Sequence, residues 1–263
     1  MPLADLGEWS VYHEEHGSGD PVLLVNGLGA DHGAWALQAE ALSRTHRVVV
    51  FDNPGVGQTE GPRGPYTTGQ LADVAASLLR HLGIERAHVV GASMGGAIAQ
   101  QLVLRHAGLV RSLALHGTWA RADRHLSAIV RSWQVAARAL PYVDFCRQLG
   151  PFVFTVWWYN DRPDELEELE RQVARSPQSP DAFCDQAEAC LHHDVLDRLG
   201  EIEAPTLLTV GDRDVLTPAH HTYAIKDEMP EARVRVWQKM GHAPFWEIPD
   251  EFNQVTTNWI KEH

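Results

Sequence analysis

The sequence has 263 residues, 44% of them hydrophobic and 22% charged, with a formal net charge of −13. That size and balance describe one large or two small globular domains, and they exclude collagen-like, low-complexity and disordered chains. No apolar run approaches the roughly 18–20 residues that span a bilayer, and the acidic excess, offset by no basic cluster, repels nucleic acid and anionic membrane surfaces.

The first five residues, Met1-Pro2-Leu3-Ala4-Asp5, lack the basic flank and apolar stretch of a signal peptide. Two strands are expected at Trp9 to Glu14 and Pro21 to Val25, joined by the turn Gly17-Ser18-Gly19-Asp20. Val48 to Phe51 is a short β-branched run, as suits a strand buried on both faces. Leu71, Val74, Ala75, Leu78, Leu79 and Leu82 fall at helical spacing, and Gly83 ends that helix. Ala87 to Val90 and Ser112 to Leu115 read as strands, with a helix over Gly95 to His106 between them. Alternation of this kind predicts an α/β fold with a mainly parallel sheet.

From about Thr118 to about Leu199 the strand signal fades. Leu126, Ile129, Val130, Trp133, Ala137 and Leu140 mark one amphipathic helix that Pro141 ends. Pro163 opens a second, with acidic residues in its first turn, and Pro180-Asp181 a third. The run Asp164 to Glu170 reads as a solvated face with Leu166 and Leu169 turned inward. Strands resume at Thr206 to Val210 and Arg233 to Trp237, and a last helix covers Asp250 to Ile260. The expected plan is a core of residues 1–117 and 200–263, interrupted by a helical insertion over 118–199. Cys146, Cys184 and Cys190 are too few and odd in number for a disulfide framework. With no leader, they point to a reducing cytoplasm. Only Lys226, Lys239 and Lys261 are lysines, an arginine bias associated with GC-rich bacterial genomes.

Gly91-Ala92-Ser93-Met94-Gly95 follows a strand and precedes a helix, the context in which G-x-S-x-G forms a nucleophile elbow. A serine on so sharp a turn is strained, and glycines at 91 and 95 remove side chains that would collide. Met240-Gly241-His242 and Gly211-Asp212-Arg213-Asp214 each follow a late strand, so His242 can serve as base and Asp214 as its orienting acid. Asp212 is the poorer candidate. Asn26-Gly27-Leu28-Gly29 ends an early strand, where the Leu28 amide would pair with that of Met94 as an oxyanion hole. About 120 residues separate Ser93 from Asp214, whereas two further βα units need only about 60, so the surplus lies outside the sheet. It holds Trp119, Trp133, Phe145, Phe152, Phe154, Trp157, Trp158 and Tyr159, an aromatic set suited to an apolar pocket. His116 ends the strand beside the elbow and is within reach of that pocket. His192-His193 and His220-His221 are adjacent pairs without the i, i+4 spacing of helical metal ligands, so no metal or other cofactor is expected.

Asn26-Gly27-Leu28-Gly29, Asp52-Asn53-Pro54-Gly55-Val56-Gly57, Gly91 to Gly95, Gly211 to Asp214 and Gly241-His242 fall in the order of one family. On these motifs the sequence resembles the α/β-hydrolases, of the small bacterial esterase, lactonase and perhydrolase type. The resemblance implies a mostly parallel eight-stranded sheet flanked by helices, with a helical cap inserted after strand 6. It also implies a cofactor-independent serine hydrolase acting on a small ester or lactone through Ser93, His242 and Asp214, with Leu28 and Met94 at the oxyanion hole. The pocket would include Asn26, His116, Trp133, Trp157, Trp158 and Tyr159. Family members usually carry His-Gly at 26–27. Asparagine is similar to the 3-oxoadipate enol-lactonases, which tend to have Asn-Ser there, and aminoacrylate hydrolases share a similar cap-to-core transition. An enol-lactonase would place an arginine on a substrate carboxylate, with Arg131, Arg138 and Arg147 as candidates. A perhydrolase uses the same triad, and a ligand-binding receptor with little turnover uses the same fold. A monomer or a homo-oligomer is compatible with all of these.

Overall fold

The computed structural model describes residues 3–175 and 177–263. Eight strands make one sheet: β1 (Leu3–Asp5), β2 (Ser10–His16), β3 (Pro21–Val25), β4 (Arg47–Phe51), β5 (Ala87–Ala92), β6 (Val110–His116), β7 (Thr206–Gly211) and β8 (Arg233–Trp237). They lie in the order β1-β2-β4-β3-β5-β6-β7-β8. β1 pairs antiparallel with β2 and β2 antiparallel with β4, whereas every pair from β4 to β8 is parallel.

Six helices belong to the sheet: α1 (Ala36–Leu42), α2 (Thr68–His81) and α3 (Met94–Arg105) before β7, and further on Ala219–Glu228, Pro244–Glu247 and Pro249–Lys261. Between β6 and β7 come five more, α4 (Arg124–Ala139), α5 (Tyr142–Val153), α6 (Val156–Asp161), α7 (Pro163–Arg175) and α8 (Pro180–Leu191), so the late three are α9, α10 and α11. The two-residue period of the strands sorts their side chains between two cores. Leu23, Val25, Val49, Phe51, Val89, Leu113 and Leu115 face α2 and α3, with Ile225 of α9 on the same side. Val22, Leu24, Val48, Val50, Val90 and Ala114 face α1 and α11.

The sequence marks no element at β1, α1, α5, α9 or α10. β1 is three residues with one buried side chain, and α1 has only seven residues, both too short to show a period. α2 is closed at its start by a reciprocal capping box between Thr67 and Gln70 and ends before Gly83, whose φ is +66°. α3 begins one residue earlier than expected, at Met94. The five inserted helices leave and return at one place. Arg121 and Asp194 form an antiparallel bridge, Val195 N–H donates to Ala120 O at 2.8 Å, and the Arg121 guanidinium holds Asp194 and Asp197. Among the described residues no helix is long and apolar enough to cross a membrane. All three cysteines are free, with Cys184 and Cys190 buried.

Candidate active site

The elbow lies between β5 and α3. Ser93 has φ 56° and ψ −124°, an arrangement that costs a non-glycine residue on the order of 1–3 kcal/mol. Its neighbours hold it there: the Ser93 N–H donates to His116 O at 2.9 Å, and Ser93 O accepts from Thr118 Oγ1 at 2.8 Å. The flanking glycines are steric necessities. A Cβ on Gly91 would stand 2.4 Å from Gly95 O, and one on Gly95 only 2.0 Å from Val25 O.

Asp214 and His242 sit on the loops that follow β7 and β8. His242 Nδ1 is 2.8 Å from Asp214 Oδ2. Asp214 is buried and its remaining acceptor capacity is filled by the amides of Leu216 and Thr217 and by Thr217 Oγ1, at 2.8–2.9 Å. Burial alone would raise the Asp214 carboxyl, but the attraction of His242 and the donors of His242 and Thr217 outweigh it and hold the group below its ordinary range. The carboxylate can only accept, so the hydrogen of that bond lies on His242 Nδ1, and in that tautomer Nε2 carries no hydrogen. Asp212 turns to its neighbour Arg213 instead.

Ser93 and His242 share the wall of a cavity of about 720 Å³ roofed by the inserted helices. Asn26, Gly27 and Leu28 line it at the sheet, Trp133, Trp158 and Tyr159 from the insertion. Met94 heads α3 and its side chain is buried in the core. Asn26 Nδ2 donates to Phe51 O at 3.3 Å, which ties the loop after β3 to the end of β4. Phe154 stacks on Trp158 at 4.0 Å between centroids, forming one wall. Trp119 and Phe145 are instead buried packing residues.

Two expected pocket residues are elsewhere. His116 is fully buried beneath the site, where Nε2 donates to the His242 carbonyl at 3.0 Å and Nδ1 meets Thr209 Oγ1 at 2.7 Å. The ring meets the backbone of His242, and His116 does not line the cavity. Trp157 is 48% exposed and lines a separate concavity of about 420 Å³ with Phe152 and Arg213. Adjacent positions on α6 face different ways, and Trp158 took the inward one. Of the three arginines only Arg147 reaches the cavity, at its rim, and Asp144 and Glu170 occupy it at 2.9 and 2.7 Å. Arg131 and Arg138 are exposed on α4.

Other residues of the site escaped the sequence reading. Phe245 and Trp246 line the cavity and follow His242 by one helical turn, a proximity that could have marked them. His32 lies at the rim, with Nδ1 2.8 Å from Asp52 Oδ1, a hydrogen bond that raises the imidazole above its ordinary value. Glu247 accepts from both Thr155 N–H and Thr155 Oγ1 at 2.7 Å, and burial raises its carboxyl. His242 N–H donates to Val153 O at 3.1 Å. The α5–α6 junction is thus fastened directly to the loop that carries His242.

Residues 20–249 match the family described as alpha/beta hydrolase fold. A protein of Azorhizobium caulinodans named for a carbamate hydrolase, RutD, is 33% identical over 100% of this chain and 99% of its own. The enol-lactonase of Burkholderia xenovorans superposes with a TM-score of 0.91 at 26% identity, covering 99% of this chain and 100% of that one. A thermophilic esterase of Thermogutta terrifontis gives 0.88 at 27% identity, covering 97% and 94%. With its sheet order, its strained Ser93 turn and a family match over most of its length, the chain belongs to the α/β-hydrolase fold family and is a hydrolase.

Proposed function

We propose that this chain is a cofactor-independent serine hydrolase that cleaves a small carboxylic ester or lactone through an acyl-enzyme. The observation that carries the reading is the Asp214–His242 hydrogen bond at 2.8 Å, with His242 and the strained Ser93 on the wall of one cavity. Ser93 Oγ attacks the carbonyl carbon and His242 Nε2 takes its proton. Asp214 keeps the ring in that tautomer and stabilises the imidazolium. The amides of Leu28 and Met94 hold the oxyanion. Leu28 N–H has no protein acceptor among the described residues, and Met94 N–H, heading α3, has no intrahelical one. Donors of this type contribute roughly 3–4 kcal/mol to the barrier reduction. His242 then returns the proton to the leaving alkoxide and activates the water that releases the acyl group.

Residues 118–199 act as the cap of this site, and the aromatic roof sets the acyl group it accepts. The rim disfavours an anionic substrate: Asp31, Glu165, Glu168 and Glu170 line it, and Arg147 is already paired. The names of the similar proteins, a carbamate hydrolase, an enol-lactonase and an esterase, share attack on an acyl carbon and support the reaction class.

The test is hydrolysis of p-nitrophenyl esters from acetate to decanoate, with lactones and a carbamate beside them, by wild type and Ser93→Ala. Turnover that disappears in the variant at unchanged melting temperature is expected. Equal turnover in both proteins overturns the reading.

A further inference from the structure

A second cluster lies away from this cavity, where the first inserted helix meets the core. Asp123 is the N-cap of α4: its Oδ1 accepts from Leu126 N–H at 2.8 Å, which leaves Oδ2 for other partners. His220 and His221 open α9, just beyond the loop that carries Asp214. Asp123 Oδ2 stands 3.0 Å from His220 Nε2 and 3.5 Å from His221 Nε2, and the three atoms all lie within 4.8 Å of one another. His221 is 4% exposed, and its Nε2 is buried with no hydrogen-bond partner among the described residues.

A buried ring nitrogen aimed at a carboxylate oxygen without bonding to it is a polar group left unsatisfied. Ligation would satisfy it. Tetrahedral zinc with bonds of about 2.0–2.1 Å holds neighbouring ligand atoms about 3.3 Å apart, and 3.0 and 3.5 Å bracket that spacing. The donor set, two imidazoles and one carboxylate, suits a borderline ion such as zinc rather than calcium or magnesium, which take oxygen. His220 is exposed, so a water can complete the fourth position.

We propose that Asp123, His220 and His221 form a three-ligand site for zinc or a similar transition-metal dication, which staples the head of α4 to the start of α9. The site lies outside the substrate cavity and stands independently of the serine-hydrolase reading. Adjacent histidines gave no such signal in the sequence because the third ligand comes from a helix about 100 residues earlier in the chain.

Isothermal titration and thermal shift with zinc chloride test it on the whole chain, beside Asp123→Asn, His220→Ala and a double variant, with calcium and magnesium as controls. Asparagine preserves the cap of α4, and His220 is exposed, so both single variants should fold. One zinc per chain is expected, with a rise in melting temperature that calcium and magnesium do not reproduce. Each single variant should weaken binding at least tenfold. Cobalt should give visible absorption bands of a four-coordinate site that vanish in the double variant. No saturable zinc binding by the wild type, or binding of equal strength in Asp123→Asn and His220→Ala, overturns the proposal.

Discussion

His116 Nε2 donates to the backbone carbonyl of His242 at 3.0 Å, while the carbonyl of the same His116 accepts from the Ser93 N–H at 2.9 Å. One residue at the end of β6 therefore fixes the Ser93 turn on one side and the His242 loop on the other. Thr209 Oγ1, at 2.7 Å from Nδ1, completes the ring's hydrogen bonds. On the proposed mechanism His116 is a positioning residue, and misplacement of reacting groups by a fraction of an ångström is costly in rate.

Replacing His116 by alanine should lower kcat for an ester about tenfold or more with little change in KM. Glutamine, which can still donate to the His242 carbonyl, should recover part of it. Steady-state kinetics of the two variants beside the wild type check this. An alanine variant with unaltered kcat removes the positioning role.

Burial lowers His116, His88 and His193 each to about 4. In the unfolded chain they protonate near 6.5. Between about pH 4 and 6.5 the unfolded state therefore binds more protons, so stability rises with pH across that window and is lost as the pH falls through it. Each group contributes up to about 3 kcal/mol of that loss. Urea unfolding at pH 7 and pH 4.5 should show it, and His193→Gln should flatten the slope. A free energy of unfolding that is flat between those pH values contradicts the assignment.

Thr155→Val should remove one donor from the Glu247 carboxylate and the Oγ1 acceptor of Trp158 N–H at 3.3 Å, costing about 1.5–3 kcal/mol. Glu247 is already raised by burial, so its charged form costs stability as the pH rises through its folded value. The valine variant loses a donor to that charged form, and its deficit should be larger at pH 8 than at pH 5. Melting temperatures at the two values decide it, and an equal deficit at both refutes the coupling.

Gly91→Ala and Gly83→Ala separate steric from conformational cost. A methyl on Gly91 meets Gly95 O at 2.4 Å, backbone against backbone, and should cost roughly 3 kcal/mol or more. A methyl on Gly83 meets nothing within 4 Å and pays only for its left-handed backbone, about 1–2 kcal/mol. Denaturant midpoints should rank them in that order; the reverse order would argue against the packing of the elbow.

Trp158→Leu opens the wall that Phe154 and Trp158 form. The preferred acyl chain on the ester series should lengthen by at least one step, alongside a lower melting temperature. An unchanged chain-length profile would move the acyl site away from this wall.

The sequence by itself determined the sheet strands from β2 to β8, the elbow and the loops that hold Asp214 and His242. Each is encoded locally: a β-branched run, a helical period, or glycines around one reactive residue on a strand-to-helix turn. β1 stayed hidden because three residues carry no period, and their place at the sheet edge comes only from pairing with β2. Tertiary structure alone decided which aromatic side chains face the cavity. Trp157 and Trp158 are neighbours in sequence, yet the rotation of α6 against the core turned one outward and the other in. It likewise sent His116 under the site rather than into it, and joined Asp123 to His220 and His221. These relations link residues about 100 positions apart, and distance along the chain says nothing of which side chains packing brings together.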